Sequence, residues 1–226
     1  MAYRGIIFDL NGVLVEDTPA HRQAWNDLVH NHDVRAFTDD EWRSVQGRST
    51  KELLPLLFGA TMSDTELDEL EKEKDLRYRR ILQTSIEVSL AAGADTLLDR
   101  LVEHGIPRAI ATSSNPDDVA FLVAHLGLQR WFAADQIVCN DGEFPDKPAP
   151  DVYLEAARRI HVPPSECVVV DDSPSGVAAA KAAGAGKIIG VASRERREDL
   201  LQAGAGETLE HVAELNLALF ESKPTP

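Results

Sequence analysis

Five stretches of the chain are apolar at almost every position: RGIIFDL (4–10), RAIATS (108–113), QIVCN (136–140), CVVVDD (167–172) and KIIGVA (187–192). They are short and rich in β-branched residues, so each is predicted as a strand. A strand with one wet face alternates apolar with polar residues. These runs mostly do not alternate, which is the pattern of a parallel sheet covered by helices on both sides. Between them the apolar spacing becomes helical, over about 92–104, 116–127, 150–161, 174–183 and 195–203. Strand and helix alternate from about residue 90 onward, which predicts a doubly wound α/β sheet.

Residues 17–87 break that alternation and read as helices only. DTPAHRQAWNDLVHNH opens with Asp17 as a candidate N-cap and Pro19 in the first turn. SDTELDELEKEKDLRYRRILQ opens with Ser63 and Glu66 at capping-box spacing. The predicted organisation is a core built from 1–15 and 88–226, with a helical domain inserted at 16–87. Hinges are expected near 14–17 and 86–91, and the tail ESKPTP is expected to fray.

Charge narrows the partners. The 226 residues carry a formal net charge of −15. Such a surface repels nucleic acid and anionic membranes, so neither is an expected partner. A local Lys or Arg inside a pocket still admits a small anionic substrate. No apolar run is long enough to span a bilayer, and the N-terminus lacks the order of a signal peptide. Cys139 and Cys167 sit in apolar segments and are expected as buried thiols rather than a disulfide. A cytoplasmic monomer or dimer is the resulting expectation.

Open α/β sheets bind ligands at the carboxyl ends of their strands. The first predicted strand delivers Asp9 and Asn11 there, and the second delivers Thr112, Ser113, Ser114 and Asn115. Lys147 follows the third strand within DKPAPD, and the fourth ends in Asp171 and Asp172. Neighbouring carboxylates raise each other's pKa unless a cation offsets them. Asp9, Asp171 and Asp172 make an all-oxygen set, suited to Mg²⁺ rather than Zn²⁺. Thr112 and Lys147 add a hydroxyl and a positive charge that suit a phosphoryl group. A carboxylate can also attack phosphorus to give an aspartyl phosphate. The residues therefore point to metal-assisted phosphoryl transfer.

Each element has a plainer explanation. Asn11-Gly12 is a strong turn signal. One residue of TSSN can simply cap the helix that follows. Lys147 alone could be a surface lysine in a Pro-rich turn. GAGK at 184–187 has a helix before it and a strand after it, so it reads as a helix C-cap rather than a phosphate loop. No GxGxxG follows the first strand, which disfavours a dinucleotide enzyme.

Taken together, FDLNGVL, ATSSN, DKPAPD and VVVDDSPSGVAAAKAAG, with the helical segment after the first of them, resemble the haloacid dehalogenase superfamily, close to the β-phosphoglucomutase-like phosphatases. The resemblance implies a Rossmann-like core with an inserted helical cap, and a Mg²⁺-dependent phosphatase of a small phosphorylated metabolite. It makes Asp9 the nucleophile, Thr112 the motif-two hydroxyl and Lys147 the motif-three lysine. The implied metal set is Asp9, Asn11, Asp171 and Asp172, with Asp172 direct and Asp171 direct or through water. Ser113, Ser114 and Asn115 are further candidates for holding substrate.

Within the helical segment, His21, Gly47, Arg48 and Lys74 stand where such proteins meet the substrate. Trp25 shares a helix face with His21 and reads as core. Lys74 lies in a mixed-charge helix, where a solvated face is the plainer reading. The departure from the family is Asn11, where a second Asp serves as general acid and base. Asn keeps the shape and the backbone carbonyl but cannot carry a proton. Glu16, Asp17 and His21 are the nearby candidates to replace it. The rival readings are a phosphosugar mutase, which Thr50 in place of a family Arg disfavours, and a binding protein without turnover.

Overall fold

The structure, a computed structural model, describes residues 2–45, 50–59, 61–84, 88–139, 141–192 and 196–220. Its main sheet holds β1 (Gly5–Phe8), β4 (Arg108–Ala111), β5 (Ile137–Val138), β6 (Cys167–Asp171), β7 (Lys187–Val191) and β8 (Glu207–Leu209). All neighbours are parallel, in the order β5-β4-β1-β6-β7-β8. Two further short strands, β2 (Val15–Glu16) and β3 (Ser89–Leu90), form a two-stranded sheet of their own.

The apolar runs are explained by burial on both faces. Successive side chains of a strand point to opposite sides. Ile7, Ala109 and Val169 enter a cluster with Val152, Tyr153 and Ala156 of α7 (Asp151–Arg159), Val177 and Ala180 of α8 (Pro174–Ala182), and Leu200 of α9 (Arg197–Ala203). Ile6, Phe8, Ile110, Val168 and Val170 alternate with them and are equally buried. A polar residue would be unsatisfied on either side, so the strands cannot alternate.

The chain divides into two compact units, Met1–Glu16 with Leu90–Pro226, and Asp17–Ser89. The second unit is helical: α1 (Thr18–Asn31), α2 (Asp39–Val45), α3 (Thr50–Phe58) and α4 (Asp64–Thr84). Its core gathers Trp25, Leu28, Trp42, Leu53 and Leu54. Ser63 and Glu66 form the predicted capping box, with Ser63 N–H donating to Glu66 at 2.8 Å and Glu66 N–H to Ser63 Oγ at 3.4 Å. Asp17 differs from the expectation: it precedes α1 but makes no side-chain cap bond. Its buried carboxylate accepts the Tyr78 hydroxyl instead.

The first unit also carries α5 (Ala94–Glu103) and α6 (Pro116–Leu126). GAGK follows α8 with Gly184 at φ +75° and leads into β7, as a helix C-cap should. Strand β8 was not anticipated, and the third predicted strand shortens to two residues. Among the described residues, no helix is long and apolar enough to cross a membrane. Cys139 and Cys167 are free thiols, the first half-buried and the second buried.

Candidate active site

Register brings the strand ends level. Phe8 pairs with Ile110 on one side and with Val170 on the other. The next residues, Asp9, Ala111 and Asp171, therefore lie side by side at the carboxyl ends of their strands. Lys147, from the loop between β5 and α7, closes the group. Its Nζ donates to Asp9 Oδ1 at 2.6 Å, to Asp171 Oδ2 at 2.8 Å and to the Ala111 carbonyl at 3.2 Å. An ammonium has three N–H donors, and these acceptors use all of them.

Asp171 is wholly buried and saturated. Oδ1 accepts the backbone N–H and the hydroxyl of Ser173, both at 2.8 Å, while Oδ2 accepts Lys147 and the Tyr153 hydroxyl. Burial raises its pKa, but Lys147, Tyr153 and Ser173 outweigh burial and hold the carboxyl below its ordinary range. Both Asp171 oxygens thus already serve protein donors.

Two glycines make room for these carboxylates. A Cβ on Gly176 would lie 1.9 Å from Asp171 Oδ2, and one on Gly12 would lie 2.4 Å from Asp172 Oδ2. Gly12 also takes φ +76°, which L side chains rarely adopt. So the Asn11-Gly12 turn is structural, and it also leaves room for the Asp172 carboxylate.

Charge balance here is uneven. Burial, with Asp171 adding to it, pushes Asp9 up to about 7 against the pull of Lys147. Burial, then Asp171 and Asp9, push Asp172 well above the carboxylate range. Arg196 lies at its edge, with Nη1 4.0 Å from Asp172 Oδ2 and Nη2 donating to the Asp172 carbonyl at 3.2 Å. Lys147 stays charged: burial opposes it, but Asp171 and Asp9 raise it well above the ordinary lysine value.

Asn11 is held by hydroxyls. Ser114 Oγ donates to Asn11 Oδ1 at 2.7 Å, and Thr112 Oγ1 stands 3.5 Å from the same oxygen. Ser113 is exposed beside them. Asn115 serves α6 instead: Oδ1 accepts the Asp118 N–H at 3.0 Å and Nδ2 donates to the Asp118 carboxylate at 2.8 Å. That is the capping residue expected within TSSN.

The helical unit has a polar cluster of its own. The His21 ring stacks on Tyr78 with centroids 4.0 Å apart, and its Nε2 lies 3.4 Å from Asp17 Oδ2. Lys74 is buried rather than solvated, 5.3 Å from the Tyr78 ring centroid and 3.1 Å from Asp75. Trp25 is core. Gly47 and Arg48 lie outside the described residues.

A family profile described as haloacid dehalogenase-like hydrolase matches residues 3–184. The chain belongs to the haloacid dehalogenase-like hydrolases. It is 32% identical over 184 residues to fructose-1-phosphate phosphatase YqaB of Escherichia coli, covering 80% of this chain and 93% of that protein. A haloacid dehalogenase hydrolase from Entamoeba histolytica superposes with a TM-score of 0.87 at 34% identity, covering 96% of each chain. A variant of CbbY from Rhodobacter sphaeroides, solved with xylulose-1,5-bisphosphate, superposes with a TM-score of 0.80 at 28% identity, covering 97% of this chain and 99% of that one.

Asn11 lies within the matched span, at the position where the resemblance leads one to expect a second Asp. Sequence reasoning did not find Tyr153, Ser173 or Arg196. Ser173 left a faint signal, since it follows the Asp pair and precedes Pro174. Its hydroxyl caps α8 by accepting the Gly176 N–H at 3.0 Å.

Proposed function

We propose that the protein is a Mg²⁺-dependent phosphomonoesterase of a small phosphorylated sugar or polyol, working through an aspartyl phosphate on Asp9. The observation that carries this reading is the Lys147 ammonium clamped between Asp9 and Asp171 at the carboxyl ends of β1 and β6. The sugar phosphate class is suggested by the names of YqaB and of the phosphorylated carbohydrates phosphatase of Thermotoga maritima.

The donor set fits Mg²⁺. Three carboxylates face one buried ammonium, and Asp9 and Asp172 are both raised by burial and by their acidic neighbours. Among the described residues, no three acidic, imidazole or thiol groups form a ready-made cation cage. Mg²⁺ takes few protein ligands and keeps waters and phosphate oxygens. Asp9, the Asn11 carbonyl and Asp172 would hold it, with Asp171 behind them. When bound, it supplies positive charge to phosphoryl oxygens.

Asp9 attacks phosphorus, the P–O ester bond breaks, and the leaving oxygen takes a proton from water. Water then attacks the aspartyl phosphate, releasing phosphate and restoring Asp9. Lys147 offsets negative charge on the transferring group, and Thr112 offers a hydroxyl at its edge. Asn11 donates hydrogen bonds and moves no proton in either step.

Phosphate release from a panel of sugar, polyol and nucleoside phosphates, with and without Mg²⁺, tests the reading. Release from sugar or polyol phosphates only with Mg²⁺ is expected. Binding of the same esters without release would contradict it.

A further inference from the structure

Tyr153 lies in α7, beneath the strand ends, and is almost wholly buried. Its hydroxyl donates to Asp171 Oδ2, the same oxygen that accepts Lys147. Its ring also lies close to Lys147, with Nζ 4.8 Å from the centroid. One side chain therefore touches both members of the Lys147–Asp171 pair, by a hydrogen bond to the acid and by a ring to the ammonium. Burial, and then the Asp171 charge, hold its phenol well above the ordinary value, so it stays a donor.

Lys147 shares its charge between two carboxylates, at 2.6 Å from Asp9 and 2.8 Å from Asp171. How that charge divides depends on how well each carboxylate is otherwise satisfied. Asp171 receives four donors over both oxygens, while Asp9 is met by Lys147 and the Leu10 backbone N–H. A satisfied Asp171 competes less strongly for the ammonium. Removing the phenol donor would leave Asp171 Oδ2 with Lys147 alone among those donors, and the ammonium would move toward Asp171.

We propose that Tyr153 is a positioning residue: by satisfying Asp171 and flanking the ammonium, it sets the share of Lys147 that reaches Asp9 and the transferring group. This rests on the phosphatase reading for its kinetic consequence, but not for its structural one. The phenol is the working part. A phenylalanine would keep the buried ring and the contact with Lys147 but lose the bond to Asp171.

The test is Tyr153→Phe in the full chain, read in two independent ways. The first is the ¹⁵N resonance of the Lys147 ammonium, assigned by its loss in Lys147→Met. Tyr153→Phe should shift it and speed its proton exchange. The second is turnover of a sugar phosphate with Mg²⁺. Here kcat should fall roughly tenfold with KM nearly unchanged, the scale of one hydrogen bond to a charged group. In an Asp171→Asn background the further loss from Tyr153→Phe should vanish, because the effect runs through Asp171. Should Tyr153→Phe not fold, 4-aminophenylalanine at position 153, which keeps a weaker donor, carries the same readouts with smaller changes. An unmoved Lys147 resonance, or native kcat and KM, would overturn the proposal. A moved resonance in a protein that hydrolyses no ester would support Tyr153 as positioning Lys147 and refute the phosphatase reading instead.

Discussion

Lys147 Nζ lies 2.6 Å from Asp9 Oδ1, and both side chains are almost entirely buried. The ammonium is the counter-charge that makes a carboxylate tolerable at the end of an apolar strand. Removing one partner of a buried pair strands the other, which costs about 3–5 kcal/mol. Lys147→Met should lose stability on that scale in urea unfolding, and adding Asp9→Asn should recover part of it. A Lys147→Met protein as stable as native would show that the pair is not the anchor described here.

The amide of Asn11 has a definite place, with its oxygen 2.7 Å from Ser114 Oγ. Asn11→Asp puts a carboxylate oxygen in that place without new bulk. A positioned acid–base group is worth roughly 10²–10⁴-fold. Formation of the aspartyl phosphate from an alkyl ester should speed up on that scale, and from an aryl ester far less, since an aryl oxide departs with little protonation. Rates across esters of graded leaving-group pKa check this. A flat dependence in native protein, with no gain from the added Asp, would show that no acid is missing.

Asn-Gly pairs deamidate when the glycine nitrogen reaches the Asn side chain. Here the Gly12 N–H donates to the Val15 carbonyl at 2.8 Å, and the Asn11 oxygen is held by Ser114. The folded protein should keep Asn11 intact through prolonged incubation at alkaline pH, while the urea-unfolded chain converts. Peptide mass analysis reads both. Rapid conversion in folded protein would mean that the turn is looser than described.

The two thiols give a pH prediction of definite sign. Burial, with Glu166 adding to it, pushes Cys167 from 9.0 up to about 12, and burial with Asp141 raises Cys139. Only the thiolate reacts with iodoacetamide, so Cys167 should alkylate far more slowly in native than in unfolded protein at pH 8. Folded protein holds this proton more tightly, so the contribution to stability is full below pH 9 and is lost as pH climbs toward 12. Equal labelling rates, native and unfolded, would contradict the burial.

The sheet was legible where burial dictates composition. Strands β1, β4, β6 and β7 are apolar runs because both of their faces are covered. Strand β8 escaped because Glu207–Leu209 is a three-residue edge strand with an exposed Glu, and its sequence carries no apolar run. Asp9 and Asp171 were legible because carboxylates at the ends of such strands have few structural explanations, and Lys147 only because DKPAPD stood beside them in one set of motifs. Tyr153 was not, since a tyrosine on the apolar side of a helix reads as core, and only the fold shows its hydroxyl meeting Asp171. Asp17 misled for a related reason. Its position suits a cap, but Tyr78, far away in sequence, takes the carboxylate.

On the proposed phosphatase reading, Asp9 carries the phosphoryl group during turnover. On that reading Asn11 supplies no base to activate water, so an aspartyl phosphate formed quickly from an ester with a good leaving group should build up and be open to capture. Protein mixed with an aryl phosphate and Mg²⁺, quenched in acid and reduced with borohydride, should carry homoserine at position 9 when the peptide is sequenced by mass spectrometry. Without substrate, or in Asp9→Asn, the peptide should be unchanged. Steady phosphate release with Asp9 never reduced, or with the label on another residue, would contradict the account.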